Sequence, residues 1–168
     1  SDIRRAVSDL NSSSSKEDVE YVASAVRSLS RREQERLTNS TIRTLGDYYN
    51  RYYSEDVKIY TSGFTSGRKM NESYSYGAAV AAGGDVRITL DQRDPSSSRT
   101  VLQFYMTANQ SLDGPVILDV GLPDNFNNSY DYYVRGPDGR LSVDIHRDGD
   151  IRYARFTTLS TGTFQLVR

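Results

Sequence analysis

His146 is the only histidine in the chain, and the chain contains no cysteine. A histidine flanked by carboxylates such as Asp144 and Asp148 could act as a general base that one of them orients. Strand alternation, however, places Asp144 and His146 on the solvent face, opposite Val143 and Ile145. We therefore expect His146 to be an ordinary surface residue beside a turn. Without cysteine, thiol catalysis and cysteine-ligated metal centres are excluded.

Two groups of aspartates, within residues 144–150 and 113–124, are candidate ligands for a hard cation. Such an ion needs six to eight oxygens about one centre. The first group lacks the long calcium-loop pattern with its terminal glutamate, and Gly149 simply suits a turn. The Gly83 and Gly84 pair lacks the Lys-Ser/Thr step of a phosphate-binding loop. We expect no metal and no cofactor, and the sequence favours a protein that is not an enzyme.

Tyrosine is the compositional anomaly, since 13 tyrosines stand against five phenylalanines and no tryptophan. A tyrosine ring with its polar tip suits wet, specific interfaces. Residues 125–133 combine such rings with amides and a carboxylate, a mixture that also holds sugars. Tyrosine equally fits a half-buried strand, so plain packing stays an alternative. The candidate binding residues are Asn127, Asn128, Tyr130, Asp131, Tyr132 and Tyr133.

The charge balance gives no sign of a nucleic-acid partner. The net charge is -1, and basic and acidic residues are interspersed in both halves of the chain. We therefore expect no nucleic-acid binding. The longest mostly apolar run, residues 76–82, is too short to span a membrane, so we expect no membrane insertion.

Five of the eight asparagines begin an Asn-X-Ser/Thr sequon. One or two sequons would arise by chance in a chain this rich in serine and threonine. The excess suggests glycosylation, whereas the absence of cysteine argues weakly against a small secreted domain. The chain begins without methionine, which predicts a processed or excised product. The sequons start at Asn11, Asn39, Asn71, Asn109 and Asn127.

The first third of the sequence has helical spacing. A short apolar pattern from Ile3 to Leu10 precedes a serine run that we interpret as a joint. Capping boxes at Ser14 or Ser15, and again at Ser30, predict helix starts. Valines at positions 19, 22 and 26 form the apolar face of the first main helix, and a second helix is predicted from Arg31 to about Tyr53. A single bent helix is the alternative.

Short alternating strands follow, separated by Gly, Pro, Asp and Asn turns. Val57 and Ile59, followed by Phe64, predict a first strand, whereas residues 74–84 could be a strand, a short helix or a loop. Residues 137–139 predict a tight turn, and Asp148 with Gly149 a two-residue hairpin turn. Further strands are predicted at residues 86–90, 102–106, 116–120, 141–145, 151–153 and 164–166.

We therefore predict an α+β fold in which an N-terminal helical segment of one or two helices precedes an antiparallel β-sandwich or barrel-like head. Residues 1–54 would be a helical neck or hairpin, and residues 55–168 the head. Hydrophobic residues make up 36% of the chain and the mean hydropathy is -0.64, so the core should be modest. We expect either a small sandwich or a homo-oligomer that shares burial between subunits.

The order of a helical stem and a β-rich head resembles, in architecture alone, the receptor-binding heads of viral, phage and some bacterial surface appendages. That resemblance implies a structural or recognition module on a virion or extracellular surface, with a protein or glycan partner. Two alternatives stay open. One is a small cone-shaped domain, in which helices cover a curved sheet and a pocket serves ligand binding or isomerisation through Asp, Tyr and His. The other is a carbohydrate-binding module.

Overall fold

A computed structural model describes residues 2–63 and 68–168 of the chain. These residues contain five α-helices and ten β-strands, which confirms the predicted α+β class. The helices are α1 (Asp2–Asp9), α2 (Lys16–Arg27), α3 (Arg31–Glu35), α4 (Asn39–Tyr53) and α5 (Ala78–Ala82). The strands are β1 (Val57–Ser62), β2 (Ser73–Ser75), β3 (Val86–Arg93), β4 (Thr100–Ala108), β5 (Val116–Gly121), β6 (Tyr133–Gly136), β7 (Gly139–Leu141), β8 (Asp144–Asp148), β9 (Ile151–Thr158) and β10 (Gly162–Val167).

Side-chain caps set the helix starts. Ser15 forms a reciprocal capping box at the start of α2, and Ser30 forms another at the start of α3. The predicted continuous helix from Arg31 to Tyr53 is wrong, because α3 ends at Glu35. Thr38, in an extended conformation, begins α4 instead, and its side chain accepts a hydrogen bond from the Thr41 amide.

The helices pack first on one another. The valine face of α2 lies against Leu45 and Tyr49 of α4 and Val7 of α1, and these residues form one buried cluster. Another face of α4 lies against the chain that follows β2. A Cβ atom at Gly46 would lie 1.8 Å from the carbonyl oxygen of Tyr76, so only glycine permits this approach. Helix α4 therefore packs directly on the segment that leads from β2 to α5.

Two sheets pack face to face around the main core. The six-stranded sheet has the order β1-β3-β4-β10-β6-β7, and the four-stranded sheet has the order β2-β5-β9-β8. Phe104 and Phe164 of the larger sheet meet Phe156 of the smaller one, with ring centroids 6.3 and 5.4 Å from the Phe156 ring. The strict alternation of buried residues in β3 and β4 confirms the predicted strand phase. In the described residues, the sheets do not close into a barrel.

Several local predictions need correction. Strand β1 pairs with β3 in parallel, because the long segment containing β2 and α5 connects them. Residues 74–84 contain the end of a strand and a short helix. The predicted single strand over 141–145 is two strands, since the chain leaves the larger sheet after β7 and enters the smaller one at β8. The hairpin loop is Gly149 with Asp150, one residue later than predicted. Phe64 lies outside the described residues.

Candidate functional site: a buried polar layer, a loop cleft and an open sheet face

A buried ion pair lies beneath α4 on the outer side of the smaller sheet. Asp119 of β5 faces Arg155 of β9 in register, and the Asp119 side chain is only 2% exposed. Arg155 donates two hydrogen bonds to the two carboxylate oxygens, at 2.7 and 2.8 Å. These bonds raise the pKa of Arg155. Strand β5 is consequently buried on both faces, although its sequence alternation suggested burial on one.

His146 lies beside this ion pair, in a group of side chains that we call the polar layer. Its members are Asp119, Arg155, His146, Tyr153, Glu72, Arg43 and Tyr76. Its Nε2 atom lies 3.1 Å from Oδ2 of Asp119, and its ring stacks on Tyr153 at 5.6 Å between centroids. Its position opposite the core side of β8 matches the predicted alternation, but the side chain is only 30% exposed because this outer face is partly covered. The Asp119 carboxylate already accepts the Arg155 fork, so it is poorly placed to serve His146 as the carboxylate of a catalytic dyad.

Neighbouring side chains complete this polar layer. The Tyr153 hydroxyl donates to Glu72 at 2.6 Å. Burial, and then that hydrogen bond, raise the pKa of Tyr153 far above its usual range. Guanidinium groups of Arg43 from α4 and Arg155 both lie over the Tyr76 ring, at 5.2 and 5.4 Å from its centroid. Arg43 thus joins α4 to this layer through its contact with the Tyr76 ring, and among the described residues its buried Nε atom has no hydrogen-bond partner. The other side chains of the layer bond to one another, which is the chemistry of a structural contact.

A groove of about 570 Å³ lies between α3 and the β6–β7 hairpin. Arg31 closes one rim by bonding to Asp138 and Ser160. The half-buried side chains of Leu37 and Leu141 contribute apolar surface, and none of the described residues that line the groove is aromatic. Its size is that of a small-molecule site.

The predicted binding residues fall into two places. Asn127, Tyr130 and Tyr132 line a cleft of about 150 Å³, which we call the loop cleft, together with Arg68 and Arg168. Arg168 covers the Tyr130 ring at 4.4 Å, and the Tyr132 hydroxyl donates to the Asn127 carbonyl. The remaining three do not line the cleft: Asn128 and Asp131 are exposed, whereas Tyr133 lies on the six-stranded sheet.

Structural hydrogen bonds account for three of the five sequon asparagines. Asn39 accepts a bond from a threonine hydroxyl of β9, Asn71 donates to the carbonyl of the residue after β5, and Asn109 accepts from a backbone amide of β3. Asn11 and Asn127 are exposed in loops. Their side chains also accept local backbone amides, from Ser13 and Ser129 respectively. Glycosylation stays a prediction from the sequence.

The outward side chains of the six-stranded sheet form a broad face that no described helix covers, and we call it the open face. They alternate with core residues along each strand, so neighbours on adjacent strands form rows across the sheet. The longest row spans five strands and carries a cation at each end. The rows contain, in order, Arg93, Gln103, Gln165, Arg135 and Arg140; then Ser62, Asp91, Tyr105 and Thr163; then Tyr60, Thr89 and Thr107; and finally Lys58 and Arg87.

The open face is strongly basic although the chain as a whole has a net charge of -1. Among the described residues of the rows it carries five exposed cations and one carboxylate, Asp91, which already pairs with Arg93 at 3.0 Å. Arg140 stacks on the Tyr133 ring at 3.9 Å from its centroid, directly opposite Arg135. The fold therefore brings together on one face cations that are interspersed with carboxylates in the sequence.

Comparison with known proteins adds no identity to this geometry: no protein-family model, curated protein or solved structure matches the chain. Within residues 2–63 and 68–168, no cluster of three or more acidic or histidine side chains is arranged to hold a metal ion. No helix in the same residues has the length and apolar character to cross a membrane. The surfaces described above are thus the basis for a functional proposal.

Proposed function

We propose that this chain is a non-enzymatic recognition module that binds a negatively charged partner through the open face. The imbalance of five exposed cations against one paired carboxylate carries this proposal. Two opposed pairs on the face, Arg135 with Arg140 and Lys58 with Arg87, have like charge, which is unfavourable in the free protein. An anion over the face would offset that repulsion.

The loop cleft extends this surface. Val101, which lines the cleft, precedes Gln103 by two residues on β4, so the cleft lies just beyond the longest row. Arg68 and Arg168 add two cations, and none of the residues lining the cleft is acidic. Four of the six residues predicted from sequence as binding residues border this basic surface, namely Asn127, Tyr130 and Tyr132 in the cleft and Tyr133 on β6.

Binding is favoured over catalysis because the carboxylates of the polar layer are already bonded to neighbouring side chains. Asp119 is saturated by Arg155 and His146, and the Glu72 carboxylate accepts from Tyr153. The alternative of a cone-shaped ligand-binding domain has one observation in its favour, the groove between α3 and the β6–β7 hairpin. The oligomeric appendage head expected from sequence stays a prediction, which light scattering of the purified protein tests.

The proposal is tested by measuring the affinity for dextran sulfate with isothermal titration calorimetry at several salt concentrations. We expect salt-dependent binding that Arg135→Gln with Arg140→Gln weakens. A matched variant, Arg32→Gln with Arg147→Gln, removes two exposed arginines away from the open face and should bind as the parent does. Equal binding by the two double variants, or no binding by the parent, would contradict the proposal.

A further inference from the structure

We propose that the polyanion bound by the open face is single-stranded nucleic acid; this inference rests on the proposed function. Two large rings project from the face among the cations, Tyr60 with 50% and Tyr105 with 41% of the residue exposed. Exposed rings of this kind serve as stacking platforms for bases, and surrounding arginines and lysines contact the phosphates.

The spacing of these rings suits an extended strand. Tyr60 lies on β1 and Tyr105 on β4, with β3 between them, and their partners on β3, Thr89 and Asp91, are two residues apart. Two strand spacings across the sheet and two residues along it separate the Cα atoms by about 12 Å. Their neighbours across the sheet are small: Thr89 beside Tyr60, and Asp91 and Thr163 on either side of Tyr105. The Arg93 guanidinium lies 5.8 Å from the centroid of the Tyr105 ring. From there it can contact the phosphate of a nucleotide whose base stacks on Tyr105.

The distribution of charge favours a single strand over a sulfated or carboxylated glycan. Lys58 and Arg87 occupy one end of the face, while Arg93, Arg135 and Arg140 occupy the opposite row. The rings lie between these two groups. A single strand offers both unstacked bases for the rings and phosphates for the flanking cations, whereas a sulfated glycan offers the rings only the C–H faces of its sugars.

This partner differs from the expectation drawn from the sequence, where mixed charges gave no sign of nucleic-acid binding. The clustering of cations comes from the fold, because strand alternation places basic side chains on one side of a single sheet. These include Lys58, Arg87, Arg93 and Arg135. The recognition expected is tolerant of sequence, since every base has a face that can stack.

The experiment is fluorescence anisotropy of a labelled oligothymidylate with the whole chain, with a duplex of equal length and dextran sulfate as competitors. Tyr60→Ala and Tyr105→Ala should each weaken oligonucleotide binding by roughly 5- to 150-fold, the range for loss of one stacked base. Tyr60→Phe and Tyr105→Phe should retain binding. Tyr21→Ala, which removes a 78% exposed tyrosine from α2, is the matched control and should change nothing.

Salt dependence separates the cation contacts from stacking. Arg135→Gln with Arg140→Gln should reduce the slope of log affinity against log salt concentration by about 1.4, because each single-strand phosphate contact contributes about 0.7. Far-ultraviolet circular dichroism of each variant establishes that it is folded. A variant that fails to fold is replaced by Tyr60→Ser or Tyr105→Ser in the same assay.

The outcomes distinguish this inference from the proposed function. Arginine-dependent binding of dextran sulfate, with oligonucleotide binding that neither tyrosine affects, would overturn single-stranded nucleic acid as partner while leaving the recognition surface intact. Preference for the duplex would overturn it as well. Absence of binding to every polyanion would overturn both proposals together.

Discussion

Asp119→Asn is the sharpest test of the buried ion pair between β5 and β9 on the outer side of the smaller sheet. The substitution preserves the shape of the side chain but removes the charge that faces Arg155, whose side chain is only 14% exposed. The asparagine also presents an amide N–H₂ group toward the guanidinium fork, where a carboxylate oxygen accepted a bond at 2.7 or 2.8 Å. Removing one partner of a buried ion pair costs about 3–5 kcal/mol, so we expect the free energy of unfolding to fall by that amount.

The assay is urea denaturation followed by circular dichroism, with the midpoint and the slope fitted separately. Asp91→Asn is the matched control, because Asp91 pairs with Arg93 at the surface, where the side chains are 38% and 57% exposed. That loss should not exceed about 1 kcal/mol. The double variant Asp119→Leu with Arg155→Met should recover much of the stability lost by the single variant, since apolar residues often replace a buried pair without cost.

Two results would refute this reasoning. A loss from Asp119→Asn no larger than that from Asp91→Asn would mean that the buried pair contributes no more than a surface pair. A double variant less stable than Asp119→Asn would mean that the charges, rather than the removal of one partner, are what the fold requires. Either result would also remove the argument that the polar layer is a structural contact.

Two further predictions concern the core and a helix start. Leu118→Ala on β5, where Leu118 is fully buried between the sheets, should cost about 2–5 kcal/mol; an unchanged urea midpoint would show that the strand phase is wrong. Hydrogen bonds from Ser30 hold the pKa of Glu33 below its usual 4.5, so its stabilising effect should be present above that value and lost as the pH falls through the lower folded-state pKa. Glu33→Gln should therefore make the unfolding midpoint less sensitive to acid, and an unchanged pH profile would contradict the capping role.

Local signals in the sequence were sufficient for most elements of the fold. The capping boxes at Ser15 and Ser30 and the alternation in β3 and β4 depend on residues close in sequence, so they could be recognised directly. The break before α4 was missed because Thr38 has no glutamate or glutamine three residues later to complete a capping box. Sheet membership was missed for a different reason: nothing local indicates that the chain changes sheets between β7 and β8.

The candidate surfaces were less accessible to sequence reasoning, because they depend on which strands are neighbours. The contact between His146 and Asp119 requires that β5, β9 and β8 lie side by side. To find the open face from the sequence, one must know that six strands form one sheet, and that Asp144 and Asp148 of β8 belong to the other. A charge count by halves of the chain mixes these sheets and hides the imbalance.

Polar side chains are in opposite environments on the two outer faces of the sandwich. On the smaller sheet, α4 covers much of the face, and Asp119, Arg155 and His146 satisfy one another beneath it. On the larger sheet no described helix lies over the face. There Arg135 and Arg140 oppose each other, and the guanidinium groups of both contact the Tyr133 ring. Like charges placed in register lower the stability of the free sheet. The anionic partner proposed above would offset that cost, since it would pair with Arg135 and Arg140, for which the described residues provide no ion pair.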